Sequence, residues 1–158
     1  MKKFFVLWSS QAASLFGSAV VNFALAWYLT KATGSATVLA TALMAAMIPQ
    51  IVLGPFAGPL IDRWSRKKIM IISDACISLL TAVLIILFLT KTIEVWHIYV
   101  IMVGRSAGEA FEYPALSATV PMLVPEEKLV RANGLLQMLQ YAIRVIAPIA
   151  GAFLLETL

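Results

Sequence analysis

The feature that most constrains this chain is a series of apolar stretches, each about 20 residues long, separated by short clusters of charge. A helix rises ~1.5 Å per residue and the hydrocarbon core of a bilayer is ~30 Å thick, so roughly 20 apolar residues are what one crossing needs. No water satisfies the backbone inside lipid, which makes such stretches helical. Composition agrees: of 158 residues 61% are hydrophobic and only 13% charged, where a soluble domain carries roughly a quarter charged. The expected fold is therefore an all-α integral membrane protein. Its expected spans lie at about 4–29, 38–61, 69–89, 96–118 and 134–155, forming one transmembrane bundle over 1–158 with the lipid bilayer as its first partner.

Polar residues punctuate these spans. Thr30 to Ser35 closes the first, and the run Asp62-Arg63-Trp64-Ser65-Arg66-Lys67-Lys68 joins the second to the third. Lys91 to Glu94 leads into the fourth, which reaches Pro114, after which Pro121 and Pro125 mark a longer polar connection before the fifth. Pro125-Glu126-Glu127-Lys128 reads as a helix start, with proline in the first turn and carboxylates at the positive end of the helix dipole. Lys2 and Lys3 before Phe4 to Trp8 resemble a signal peptide, but apolar character continues to Leu29, so an uncleaved first span is expected. Lys2, Lys3, Arg63, Arg66, Lys67, Lys68, Lys128 and Arg131 fall on one side, against Lys31 and Lys91 on the other. By the positive-inside rule this imbalance places the N-terminus in the cytoplasm.

The net charge of +4 does not point to nucleic acid, because the basic residues mark span ends and form no stripe with interleaved aromatics. Cys76 is the single cysteine, so this chain alone assembles neither a disulfide framework nor a thiolate metal site, and a small packing residue is expected there. His97, beside Trp96 and Tyr99, is expected to anchor the outer interface. A second histidine, a nucleophile elbow and a phosphate-cradling glycine loop are all lacking from the sequence. Enzymatic chemistry, a metal and a cofactor are accordingly not expected.

Several spans carry polar residues at helical spacing. Gln11, Ser14, Ser18 and Asn22 share a face of the first, suited either to helix packing or to lining a substrate path. Gln137, Gln140, Tyr141 and Arg144 do the same in the fifth, leading to Pro148 and Gly151. Arg105 and Arg144 fall near the bilayer midplane, where a charge is expensive and normally faces a bundle interior or water. Glu109 and Glu112 follow Arg105 on its own face. Glu109 reads equally as a proton carrier or as a static partner of Arg105, whereas Asp74, on a face with Ser78 and Thr81, reads mainly as structural.

The run from Gly58 through Asp62, Arg63 and Arg66 to Lys67 and Lys68 resembles the loop signature of the major facilitator superfamily. Ser65 is the single departure, standing where that pattern has a second glycine. Leu29-Thr30, Thr33 to Ala36, Arg66 to Ile71, Pro114 to Leu116 and Leu123 to Glu127 are similar to the macrolide-efflux branch of its drug:proton antiporters. The resemblance implies a twelve-span fold in two six-helix halves, of which this chain supplies five helices of an incomplete N-terminal half. A sixth span and a C-terminal half would be absent from it.

On that basis the intact protein is expected to be a proton-coupled exporter of small amphipathic drugs in the cell membrane. Arg105, which matches the family's fourth-span arginine, would couple protons with Glu109, while Gly58, Asp62, Arg63, Arg66 and Lys67 would form a cytoplasmic latch. The path would be lined by Gln11, Asn22, Gln137, Tyr141 and Arg144, with Pro148 and Gly151 packing helices. The fifth-span antiporter motif is incomplete, reading Ile143, Ala147, Pro148, Gly151 and Ala152 at its fixed positions. Two alternatives therefore stay open: facilitated uptake, and a truncated, non-transporting protein that associates with another membrane bundle.

Overall fold

The computed structural model describes the backbone of residues 2–157 and side chains from 4 to 153; the side chains of Lys2 and Lys3, used in the charge count, lie outside the described residues. The chain is all helix: α1 (Lys2–Thr33), α2 (Ala36–Arg63), α3 (Arg66–Leu89), α4 (Val95–Leu123) and α5 (Leu129–Thr157), with a short 3₁₀ turn, Glu126–Lys128, before the last. Four of these regions, Phe4–Thr33, Ala36–Arg63, Arg66–Leu89 and Glu126–Phe153, are long and apolar enough to cross a membrane. Helix α4 is as long, at 29 residues, but Arg105, Glu109 and Glu112 interrupt its apolar run.

The connections are short for physical reasons visible in the residues. Gly34 turns the chain at φ +61°, a conformation that suits a residue without a side chain. Ser35 then caps α2, its hydroxyl accepting from the Val38 N–H at 3.4 Å. Between α2 and α3 only Trp64 and Ser65 leave helical geometry, and the Trp64 N–H still donates to the Leu60 carbonyl.

One expectation about a helix end is corrected. The connection marked by Pro121 and Pro125 is shorter than expected: α4, expected to end near 118, runs through Pro114 and Pro121 to Leu123. A proline removes one backbone hydrogen bond, yet in an apolar setting unwinding would strand several more. Prolines 49, 55 and 59 are likewise held inside α2. At the other end, helical structure begins at Glu126, where Pro125 to Lys128 read as a helix start, and α5 runs on from Leu129 ahead of the span expected from 134.

The chain divides into two compact units, and α1 and α4 contribute to both. In the unit made of residues up to Trp27 and from Ser117 onward, α1 and α5 meet closely. The Trp8 indole N–H donates to the Leu135 carbonyl at 3.5 Å, and a methyl group on Gly151 would stand 2.6 Å from the Phe23 ring. In the unit from Tyr28 to Leu116, α3 buries Ile69, Met70, Ser73, Ile77 and Leu84. Cys76, expected to pack, lies off that face and is exposed.

Candidate functional site

Within the Tyr28–Leu116 unit, glycine spacing on α4 sets up the site. Gly104 and Gly108 lie one turn apart, and each admits a side chain of α3: a Cβ on Gly104 would sit 2.9 Å from Leu80 Cδ1, and one on Gly108 would sit 2.8 Å from Ile77 Cγ1. Small residues four apart let helix backbones approach in lipid. The Gly-x-x-x-Gly spacing of this pair is its signal in the sequence, a contact not among the expectations above. Ser106, also missed, is buried and its hydroxyl donates to the Ala46 carbonyl, tying α4 to α2.

The close approach delivers Arg105 to α3. Its side chain is 1% exposed, and the guanidinium donates to the Thr81 hydroxyl. Glu109 and Glu112 both exert an attraction on that guanidinium. Glu112 is 2% exposed, and its Oε1 accepts no hydrogen bond among the described residues. Asp74 of α3 and Glu109 act on Glu112 as like charges, and Arg105 as the opposing one. Glu109 and Glu112 thus share one guanidinium, and Asp74 faces Glu112 across the α3–α4 contact. Asp74, which reads from the sequence as mainly structural, stands beside Glu112 in this cluster.

The loop residues are arranged differently. Asp62 and Arg66 approach to 3.9 Å across the α2–α3 break, with the Asp62 side chain 75% exposed. Arg63 and Lys67 are exposed at the same break. Gly58 was expected to allow close helix approach; instead, open space surrounds it among the described residues, with nothing within 4 Å of an added Cβ.

The expected path residues divide by exposure. Gln11 is buried and Asn22 half-buried on α1, whereas Gln137, Tyr141 and Arg144 lie on an exposed face of α5. The Arg144 guanidinium stands 6.0 Å from the Tyr141 ring centroid, the outer limit of a cation–π contact. Pro148 is half-buried and Gly151 buried in the same helix. Elsewhere, His97 stacks on Trp96 at 3.8 Å between centroids, and its Nδ1 accepts from the Glu94 N–H at 3.1 Å. Among the described residues no group of histidine, cysteine and acidic side chains is placed to hold a metal ion.

Long apolar helices that keep their buried ions turned inward define a multi-pass membrane protein. The chain belongs to the Major Facilitator Superfamily, whose family model matches residues 7–158. It is 42% identical over 152 residues to macrolide efflux protein A of Streptococcus pyogenes, covering 96% of this chain and 38% of that protein. Macrolide efflux protein A of Enterococcus faecalis is 41% identical over 121 residues, 77% of this chain and 37% of the relative. An uncharacterized MFS-type transporter of Bacillus subtilis strain 168, YkuC, is 31% identical over 160 residues, 99% and 36% of the two chains. The chain therefore spans under two-fifths of the length of the curated relatives it matches. No solved structure matches it.

Proposed function

We propose that this chain is the N-terminal part of a proton-coupled exporter of amphipathic drugs such as macrolides, working by alternating access between two halves. The observation that carries the reading is the buried Arg105 with its carboxylates, since a group this costly to bury in lipid is usually functional. Similarity to two macrolide efflux proteins supports the substrate class. In this reading α4 is the fourth of five spans, its ions facing inward, and the N-terminus is cytoplasmic. Arg105 and Glu109, with the carboxyl groups around them, form the proton-coupling centre. Gly58, Asp62, Arg63, Arg66 and Lys67 latch the cytoplasmic side against a second half, which fits the exposure of Asp62 and the open space at Gly58. Gln11, Asn22, Gln137, Tyr141 and Arg144 line the substrate path, and the exposed α5 face awaits the remaining helices.

The test is drug accumulation in cells expressing the full-length transporter, with and without an uncoupler. Expression should lower accumulation, and the uncoupler should restore it. Accumulation unchanged by expression rejects export, and export indifferent to the uncoupler rejects proton coupling.

A further inference from the structure

Within the α3–α4 cluster, Glu109 is the carboxylate nearest Arg105 in sequence, one helical turn on, and the sequence leaves it equally a proton carrier or a static partner. The geometry points elsewhere. Glu112 is the more deeply enclosed: it is 2% exposed while Glu109 is only half-buried. Its Oε1 is sealed from solvent without a hydrogen-bond donor among the described residues. A buried carboxylate oxygen that no donor reaches carries the full cost of lost hydration, which a bound proton relieves. The charged groups acting on it are Asp74 across the interface on α3 and Glu109 and Arg105 on its own helix. At an ionised Glu112, two like charges, Asp74 and Glu109, act against the one favourable charge of Arg105. That imbalance is poorly tolerated in a low-dielectric interior, and one proton reduces it. Arg105 already gives a donor to Thr81.

We propose that Glu112 is the carboxyl group that takes up and releases the transported proton, with Asp74 facing it from α3 and Arg105 holding the cluster's charge balance. This rests on the proton-coupled reading above. The step is a plain protonation: the proton adds to a Glu112 carboxylate oxygen from one side of the membrane and leaves to water on the other, with no other bond changed. Access from alternate sides follows from the alternation between the two halves proposed above. Loss of the proton would restore the repulsion with Asp74 and Glu109 and favour the other arrangement.

The experiment uses the full-length transporter in proteoliposomes, with a macrolide as the probe substrate. Drug transport driven by an imposed pH gradient is compared with drug counterflow at equal pH, which needs no net proton movement. Glu112→Gln should lose gradient-driven transport at least tenfold while counterflow persists. Glu109→Gln, which alters the same centre, should lose less of the gradient response than Glu112→Gln; a larger loss in Glu109→Gln overturns the assignment. If wild type ignores the gradient, the proton-coupled reading fails and this assignment with it. If wild type responds and Glu112→Gln responds equally, only the assignment fails. Equal loss of both activities in Glu112→Gln, in protein that elutes as a folded monodisperse species, also overturns it. Should that variant not fold, infrared titration of wild type beside Glu112→Asp decides. A carboxylic C=O band that comes and goes with pH and shifts in frequency in Glu112→Asp supports the assignment, and a band insensitive to that change refutes it.

Discussion

Replacing Gly108 with alanine tests the helix contact on which the charge cluster depends. The new methyl group would stand 2.8 Å from Ile77 Cγ1, 3.1 Å from Cδ1 and 3.5 Å from the Ser73 carbonyl oxygen. Carbon atoms settle at ~3.5–4.0 Å, so α3 and α4 must separate by roughly 0.7 Å or more, or Ile77 must move. Ile77 is buried and β-branched, with essentially one side-chain rotamer in a helix, so it cannot step aside. Overpacking of this kind costs about 1–3 kcal/mol, from which alanine's better helix propensity recovers up to ~1 kcal/mol. A net loss of about 1–2 kcal/mol is expected. Gly54→Ala is the matched control, because nothing lies within 4 Å of its Cβ position. Melting of the detergent-solubilised full-length transporter should fall for Gly108→Ala and hold or rise for Gly54→Ala. Ile77→Ala removes both clashing carbons, so the double variant should be at least ~1 kcal/mol more stable than the two single losses predict. Strict additivity, or equal melting of the two alanine variants, would refute the close contact.

Other expectations follow from the same geometry. Arg105→Ala leaves the enclosed Glu112 without its cation and should cost about 3–5 kcal/mol together with gradient-driven transport. Thr81→Val strips one hydrogen bond from a charged donor and should cost about 1–3 kcal/mol, read by the same melting assay. Asp62→Asn breaks an exposed pair and should shift stability by less than ~1 kcal/mol. Gly58→Ala should hold or gain stability; if either loop variant nonetheless slows drug efflux severalfold, the affected neighbour belongs to the second half. In a cysteine-free background, Lys67→Cys should resist a membrane-impermeant maleimide in intact cells while Lys91→Cys reacts. The reverse pattern would invert the topology.

The helices themselves were legible in the sequence because apolar length is a local property that a bilayer reads directly. Helix ends were less so: Pro114 and Pro121 break helices in water, but α4 passes through both, since the alternative leaves backbone groups unsatisfied. The chemical type of the site was also legible, as Arg105, Glu109 and Glu112 recur on one face. Which carboxyl group is enclosed was not, because enclosure depends on the register between α3 and α4. Thr81 reaches Arg105 across 24 positions of sequence, a pairing that no periodicity encodes. Gly104 and Gly108, which set that register, were visible as a motif but overlooked beside the arginine between them. Cys76 misled in the opposite sense, because an apolar span does not disclose which of its faces meets protein.

If the buried cluster around Arg105 couples the proton to the drug, as proposed, binding one must move the other. The pH of a weakly buffered detergent solution of the full-length transporter, followed as a macrolide is added, reads that exchange. Wild type should change the pH as drug binding displaces or admits protons, and the change should shrink markedly in Arg105→Ala. A drug that binds with no proton exchanged at any pH would contradict the account.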